Sequence, residues 1–445
     1  DAGIVFYGVD ATNAAHNNII HDNSPYNMGN SNASVTINAE NNWWGSAAGP
    51  VASTISGLVD YEPWLTHPPV HNVTQGTYFS TIQAAIDAAS DGDTINVAAG
   101  TYNEQVNINK QVSIVGAGKD GPNPTIITST ANRTVLLGAS GTEASPILLK
   151  DLQIQGSSGI YTTFTPIDYV TLESVWLNAN PVKIGEGFRL ATGHQMTHLT
   201  ITNSIIEGYL DGIIVEKTPG TGVEGTKLQF VTMTNTIFKN NYRKGMYVET
   251  LSDAIFTDVQ LLNNGYVTPG SNLAEYHSAG FDINLKDGNY SNLQFINMTA
   301  IGNGLTSKEG AALMIKARDD GATYGAYPAT LSNVHITGGT FTGNERGIRF
   351  GEPGTTNAGP TNVVITGAAI HSNFKTYGGD DGSAYGDVVN FSLAQVVASH
   401  NWWGSIAGPA SGQILGTTDS VTYDPWCGDS ECSFLVNLVE PSNLQ

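Results

Sequence analysis

Charge is scarce in this chain, and positive charge is scarcer still. Charged residues make up 13% of 445 positions, about half the usual share in globular proteins. Lys and Arg number 18 against 39 Asp and Glu, a formal net charge of -21. Nucleic acid and anionic membranes both need clustered cations, so neither is an expected partner. Apolar runs long enough to cross a bilayer as a helix are also missing, which argues against membrane insertion by that route. Cysteine is limited to Cys427 and Cys432. Two thiols do not complete a zinc site. In the run Cys427-Gly-Asp-Ser-Glu-Cys432 they can close a small disulfide loop, the alternative being two free thiols. No signal peptide stands at the start, where Asp1 leads straight into a strand-like pattern. The expectation is a piece of a longer secreted or surface-displayed protein. Glycosylation acceptors at Asn32, Asn72, Asn132, Asn289, Asn297 and Asn390 fit that location.

What the chain does have is turn chemistry. Gly occurs 51 times, and Asn and Thr are abundant, which suits many short strands joined by tight turns. It also repeats itself. Residues 41–50 read Asn-Asn-Trp-Trp-Gly-Ser-Ala-Ala-Gly-Pro, and residues 400–409 read His-Asn-Trp-Trp-Gly-Ser-Ile-Ala-Gly-Pro. Each is followed by a matching closure, Val59-Asp-Tyr-Glu-Pro-Trp64 and Val421-Thr-Tyr-Asp-Pro-Trp426. Residues 1–68 therefore read as the closing rungs and cap of a preceding module, 69–430 as a complete module, and 431–445 as a tail or linker. Tyr and Trp at a module end cap an exposed core.

The complete module opens on a helix. Ser80 is the expected N-cap with Gln83 closing a capping box, and Ile82, Ala85, Ile86 and Ala89 share one face. Beyond residue 199, apolar pairs five apart recur: Ile201/Ile206, Met233/Phe238, Phe256/Leu261, Ile296/Ile301, Ile336/Phe341 and Ile365/Ile370. Each reads as two strands meeting at a corner. An Asn follows most corners (Asn241, Asn264, Asn303, Asn344, Asn373), and stacked Asn can hydrogen-bond along a solenoid. Repeats of several short strands each predict an all-β fold, a right-handed parallel β-helix with a short N-terminal cap helix. A large β-sandwich is the alternative, and it explains neither the helix nor the repeated corner.

The run from Thr81 through Val106, followed by Val112-Ser-Ile-Val-Gly-Ala-Gly118, resembles the N-terminal cap and first rung of pectin-lyase-like right-handed β-helix proteins. The Asn-Trp-Trp-Gly…Gly-Pro ending is similar to the closing segment of bacterial and archaeal surface β-helix repeat proteins. The resemblance covers nearly the whole chain and is specific for fold. It implies lyases, hydrolases, esterases, adhesins or inert scaffolds, because the fold hosts all of them. The family's catalytic clefts lie on an outer face, with a carboxylate or metal holding a uronate and a Lys or Arg taking a proton. Here the Asp triad for Ca²⁺ with its Arg, and the Asn-Thr-Asp plus Gly-His-Gly set of polygalacturonases, are not matched.

Counting from the small residue that opens each rung strand, even positions point outward. One outer column then carries Glu216, Glu249, Asn284 and Lys316. Asp282 and Arg349 fall in a second column, and Lys286 and Arg318 in a third. Lys316 beside Arg318 suits a base for β-elimination. Glu216 and Glu249, one rung apart, suit an acid and nucleophile for hydrolysis. The plainer expectation is a solvated ladder of salt bridges. The acidic turns with Asp319, Asp320, Asp380 and Asp381 can hold Ca²⁺, the one cofactor suggested, though Asp-Gly is also an ordinary turn dipeptide. The function expected is that of an extracellular structural module. It would self-associate or abut neighbouring modules of the same protein in a rod, sheath or filament, with polysaccharide as a further partner. The alternative is a polysaccharide lyase or glycoside hydrolase.

Overall fold

The computed structural model describes residues 3–7, 13–16, 18–217, 225–266, 278–305, 307–352, 354–355, 357–373, 386–416 and 420–438. The chain coils as a right-handed parallel β-helix. Among the described residues two long sheets form its walls, one of 11 strands from Val106–Ile108 to Ile414–Gly416 and one of 22 strands, parallel except where Val70–Asn72 pairs antiparallel with Thr77–Phe79 and Thr94–Val97. A typical rung runs through Lys227–Thr234 and Ile237–Lys239 on the wide sheet, then Lys244–Val248 on the narrow one. The next rung repeats this with Ser252–Thr257, Gln260–Leu262 and Ala279–Leu285, in register Met233↔Phe256, Phe238↔Leu261 and Met246↔Phe281. Inward side chains of every rung join one continuous core, in which Phe238, Phe281, Phe256 and Phe295 stack edge-to-face and face-to-face.

The corners follow the expected pattern because Asn and Asp tolerate positive φ. Asn203, Asn235, Asp258 and Asn297 occupy the first corner with φ of 51°, 49°, 53° and 52°. One pair differs from expectation. The inward residues of its rung are Phe295 and Ala300, while Ile301 is 42% exposed, so Ile296/Ile301 is one residue out of phase. A one-residue slip exchanges the faces of a strand, and at this rung both phases offer apolar residues. On the narrow sheet the recurring Gly answers a close approach. A Cβ on Gly212, Gly245 or Gly280 would sit 2.3, 2.6 or 2.4 Å from the carbonyl oxygen of the following rung.

The five Asn form a continuous buried ladder. Each amide donates to the next Oδ1, at 2.8 Å for Asn241 to Asn264 and 3.0 Å for Asn264 to Asn303. Asn303 to Asn344 is 2.9 Å and Asn344 to Asn373 is 2.8 Å. Asn373 ends the run on the Asp387 carboxylate at 2.8 Å. Burial pushes the Asp387 carboxyl above its ordinary value, against the hydrogen bonds from Asn373 and Gln413. Folding therefore favours the protonated acid, and its stability contribution is full below the unfolded carboxyl range and declines as pH rises through the raised value. Asp387→Asn keeps an oxygen for Asn373 and cannot ionise. It is expected to flatten the dependence of Tm on pH between acid and neutral, as scanning calorimetry across pH would measure.

The cap helix spans Ile82–Ala88, and its N-cap is Thr81, whose hydroxyl accepts from Ala84 N, not Ser80. Gln83 reaches Asp87 and Asn107 instead of closing a box, and the Glu104 carboxylate takes the free N–H groups of Ile82 and Gln83, each at 2.9 Å. A carboxylate suits that end of the helix dipole. Ile82, Ala85 and Ile86 lie fully buried over the first rung.

Residues 1–68 carry a separate small core of Ala15, Ile20, Met28, Ala39 and Trp44, on parallel strands Ile4–Phe6, Met28–Asn30 and Ile55–Ser56. Its details are those of the C-terminal end. The Asn42 amide donates to Ala15 O and Ala39 O, and the Asn401 amide donates to Ile365 O and Ala398 O. Trp64 Nε1 donates to Ala47 O, and Trp426 Nε1 to Ile406 O. Cys427 and Cys432 form a disulfide with Cα atoms 4.6 Å apart. Of the expected tail, residues 431–438 are described and fold against the closing segment. Leu435–Val436 folds back to pair antiparallel with Trp426–Cys427, and Leu438 N donates to Asp424.

Candidate functional site

The narrow sheet brings its outward positions into the predicted columns. Glu216, Glu249, Asn284 and Lys316 fall on successive rungs, as do Tyr247, Asp282, Met314 and Arg349. The surface they form is not the solvated ladder expected. Asp282 is 2% exposed and Lys316 5%. Asp282 lies between two lysines from neighbouring rungs, Lys244 Nζ at 2.6 Å and Lys316 Nζ at 2.9 Å. Glu352 then gathers Lys316 at 3.3 Å, Arg318 at 3.2 Å and Arg349 at 2.8 Å. Arg349 also reaches Glu309, by the backbone oxygen at 2.8 Å and the carboxylate at 3.6 Å.

These contacts set the protonation states. Burial opposes ionisation of Asp282, yet Lys244 and Lys316 outweigh it and hold the carboxyl well below the usual range. Burial pulls Lys244 below its ordinary value, and repulsion from Lys316 adds to this against the attraction of Asp282. Two buried lysines sharing one aspartate leave a charge incompletely matched, and Lys316 has Glu352 besides. Burial raises Glu309, while Glu352 is lowered by Lys316, Arg349 and Arg318 despite its burial. Three polar atoms of this network are buried without a hydrogen-bond partner, Asn284 Oδ1, Arg349 Nε and Asp282 Oδ1, the last held by its ion pair with Lys316. A short helix, Gly321–Ala326, lies over the cluster with the Tyr324 ring 4.3 Å from the Arg318 guanidinium. None of the helix residues is buried.

The expected site residues meet different fates. Lys316, Arg318 and Asp282 belong to one network, as the alternation of faces requires. Glu216 and Glu249 do not act on each other. Glu216 pairs with Arg189 at 2.6 Å, and Glu249 is tied to Lys286 and to the Tyr247 hydroxyl. Each carboxylate is thus engaged by a cation of its own. Asp319 and Asp320 do not converge on an open cation site. Asp320 binds Arg318 at 2.7 Å, and both accept from the Asn357 amide. Asp380 and Asp381 lie outside the described residues. Among the described residues no group of three or more His, Cys, Asp or Glu is placed to hold a metal. Lys244, Glu309 and Glu352 escaped sequence reasoning. Lys244 immediately precedes the rung glycine, on a position that alternation assigns to the interior, yet its Nζ meets Asp282 and lies 3.8 Å from the Tyr247 ring centre.

No family model matches the chain, and no curated protein does. Among solved structures it is similar to the catalytic unit of a thermostable GH87 α-1,3-glucanase from Streptomyces thermodiastaticus, at 13% identity over 79% of this chain and 67% of that one, TM-score 0.40. It is similar to an alginate lyase from Paenibacillus sp. FPU-7, at 15% identity over 77% of this chain and 96% of that one, TM-score 0.31. It is also similar to pectate lyase Pel9A, at 18% identity over 81% of this chain and 77% of that one, TM-score 0.33. At such identities the likeness concerns the fold alone.

Proposed function

We propose that this protein is an extracellular polysaccharide lyase that works at the charged network of the narrow sheet. The observation that carries the reading is the pair of buried lysines sharing Asp282, with Lys244 drawn below its ordinary value. A neutral lysine beside cations is suited to take the proton α to a uronate carboxylate. Arg318, Arg349 and Lys316 then hold that carboxylate while charge builds on it. The glycosidic C–O bond at the β carbon breaks, the departing oxygen takes a proton, and a conjugated C=C remains. Glu309, raised by burial, is the nearby acid suited to supply that proton. The loosely seated Gly321–Ala326 helix is the part that must lift to admit a polymer. Location outside the cell rests on the Cys427–Cys432 disulfide; among the described residues no helix is long and apolar enough to cross a membrane.

A second reading is that the network only braces the rungs, and the near-complete pairing of its charges favours it. Incubation with alginate and polygalacturonate separates the two. The lyase reading expects ultraviolet absorbance from the new double bond, with Lys244→Met lowering the rate by about a hundredfold or more. It also expects the rate to climb with pH as Lys244 loses its proton. No product from either polymer leaves the bracing role.

A further inference from the structure

A groove lies on the other wall. It has a volume of about 580 Å³ and follows the outer face of the wide sheet. Its floor is built from two side-by-side columns. The first is a line of residues with positive φ, one per rung: Tyr169, His198, Phe230, Asp253 and Asn292, continued beyond the groove by Asn333 and Asn362, all between 52° and 63°. The second, two positions further along each strand, presents Thr171, Thr200, Thr232, Ile255 and Gln294.

The first column changes character halfway. Below Phe230 it holds Asp and Asn, residues that adopt this conformation readily. Asn292 donates to Asp253 at 2.6 Å and Asn333 to Asn292 at 3.0 Å, a small external ladder. Above, the same strained position holds three rings. Tyr169 and His198 stack at 4.1 Å and 3°, and His198 and Phe230 at 4.8 Å and 16°. Bulky side chains are disfavoured at positive φ, and Asn would complete the ladder more cheaply. Such strain at a surface position is characteristic of functional sites. The rings cover one another's faces, except where the stack ends. Phe230 is 43% exposed, and the next position carries only Asp253, whose carboxylate is held aside by Gln229 at 2.7 Å and Asn292.

We infer that this groove binds a neutral polysaccharide lying along the solenoid axis. An open aromatic face beside hydroxyl, carboxylate and amide groups matches a sugar ring, apolar on its faces and polar at its rim. The groove lining contains Glu143 and Asp253 but no Lys or Arg. On a protein of net charge -21 that lining repels uronate polymers. From the rung of Pro146 to that of Asn292 the columns span five rung steps, about 24 Å at about 4.8 Å per step, room for several sugar units. The inference is independent of cleavage at the narrow sheet.

Affinity electrophoresis of the full chain in gels containing laminarin, hydroxyethylcellulose or soluble starch tests it, with polygalacturonate and alginate as anionic controls. At least one neutral polymer should retard the protein. Phe230→Asn, which suits the backbone and extends the Asn ladder, should keep the wild-type Tm and weaken binding about tenfold. Thr200→Val, on the second column, should weaken it as well. The inference is overturned if no neutral polymer retards the wild type, if only the uronates do, or if Phe230→Asn binds as the wild type does. Cleavage of uronates, present or absent, is read separately and leaves this result untouched.

Discussion

Asn303→Ala is expected to lower the unfolding free energy by about 4 kcal/mol, although it removes one small side chain. Asn303 is wholly buried. Its oxygen accepts from Asn264 N and Asn264 Nδ2, each at 3.0 Å, and its amide donates to Leu261 O at 2.8 Å and Asn344 Oδ1 at 2.9 Å. Alanine leaves the Asn264 N–H, one Asn264 amide hydrogen and the Leu261 carbonyl without partners. Each orphaned buried group costs about 1–3 kcal/mol, because no water replaces the lost bond. The external ladder provides the control. Asn333→Gly keeps a residue that tolerates φ of 60° and loses only bonds that solvent can replace. It should cost less than about 1 kcal/mol. Denaturant unfolding of both variants decides the matter, and equal losses would refute the distinction drawn between the ladders.

Asp282→Asn should be about as damaging, by a different route. It leaves Lys244 and Lys316 buried with their shared counter-ion gone, and breaking a buried pair in this way costs about 3–5 kcal/mol. Replacing all three together, as Lys244→Met, Asp282→Leu and Lys316→Met, should restore most of that loss, because apolar residues need no counter-ion. Recovery in the triple variant identifies the unpaired charge as the cause, and a further loss would point to the remaining Glu352 contacts. The pH dependence has a definite sign. The Asp282 carboxyl is held well below its ordinary value. Its contribution is therefore present above the unfolded carboxyl pKa of about 3.9 and is lost as pH falls toward the depressed value. Acid titration of Asp282→Asn should lack that part of the wild-type decline.

Much of the coil was legible in the chain. The corners at Asn203, Asn235 and Asn297, the buried line from Asn241 to Asn373 and the rung glycines are all local requirements that recur. A turn needs a residue that accepts positive φ, an inner corner needs an amide that both donates and accepts, and a close carbonyl needs a missing Cβ. The Ile296/Ile301 pair shows the limit. Where Phe295 and Ile296 are both apolar, periodicity alone does not choose the inward face. Thr81 was likewise hidden, because Glu104, distant in sequence, displaces the capping box that Ser80 and Gln83 suggest.

The sequence by itself determined a right-handed parallel β-helix, its cap helix, its Asn ladder and a closing motif written twice. Each depends on residues within one rung repeating what the rung before it does. Only the tertiary structure decided what covers the outer walls. Partners there come from rungs separated by inserts of unequal length. Lys244 lies 38 residues from Asp282, and Arg318 lies 34 from Glu352. No short-range pattern shows that two lysines share one aspartate beneath a loose helix, or that Tyr169, His198 and Phe230 stack beside a column of threonines. Neighbouring rungs set those contacts, and the spacing between rungs is fixed by the coil and not by distance along the chain.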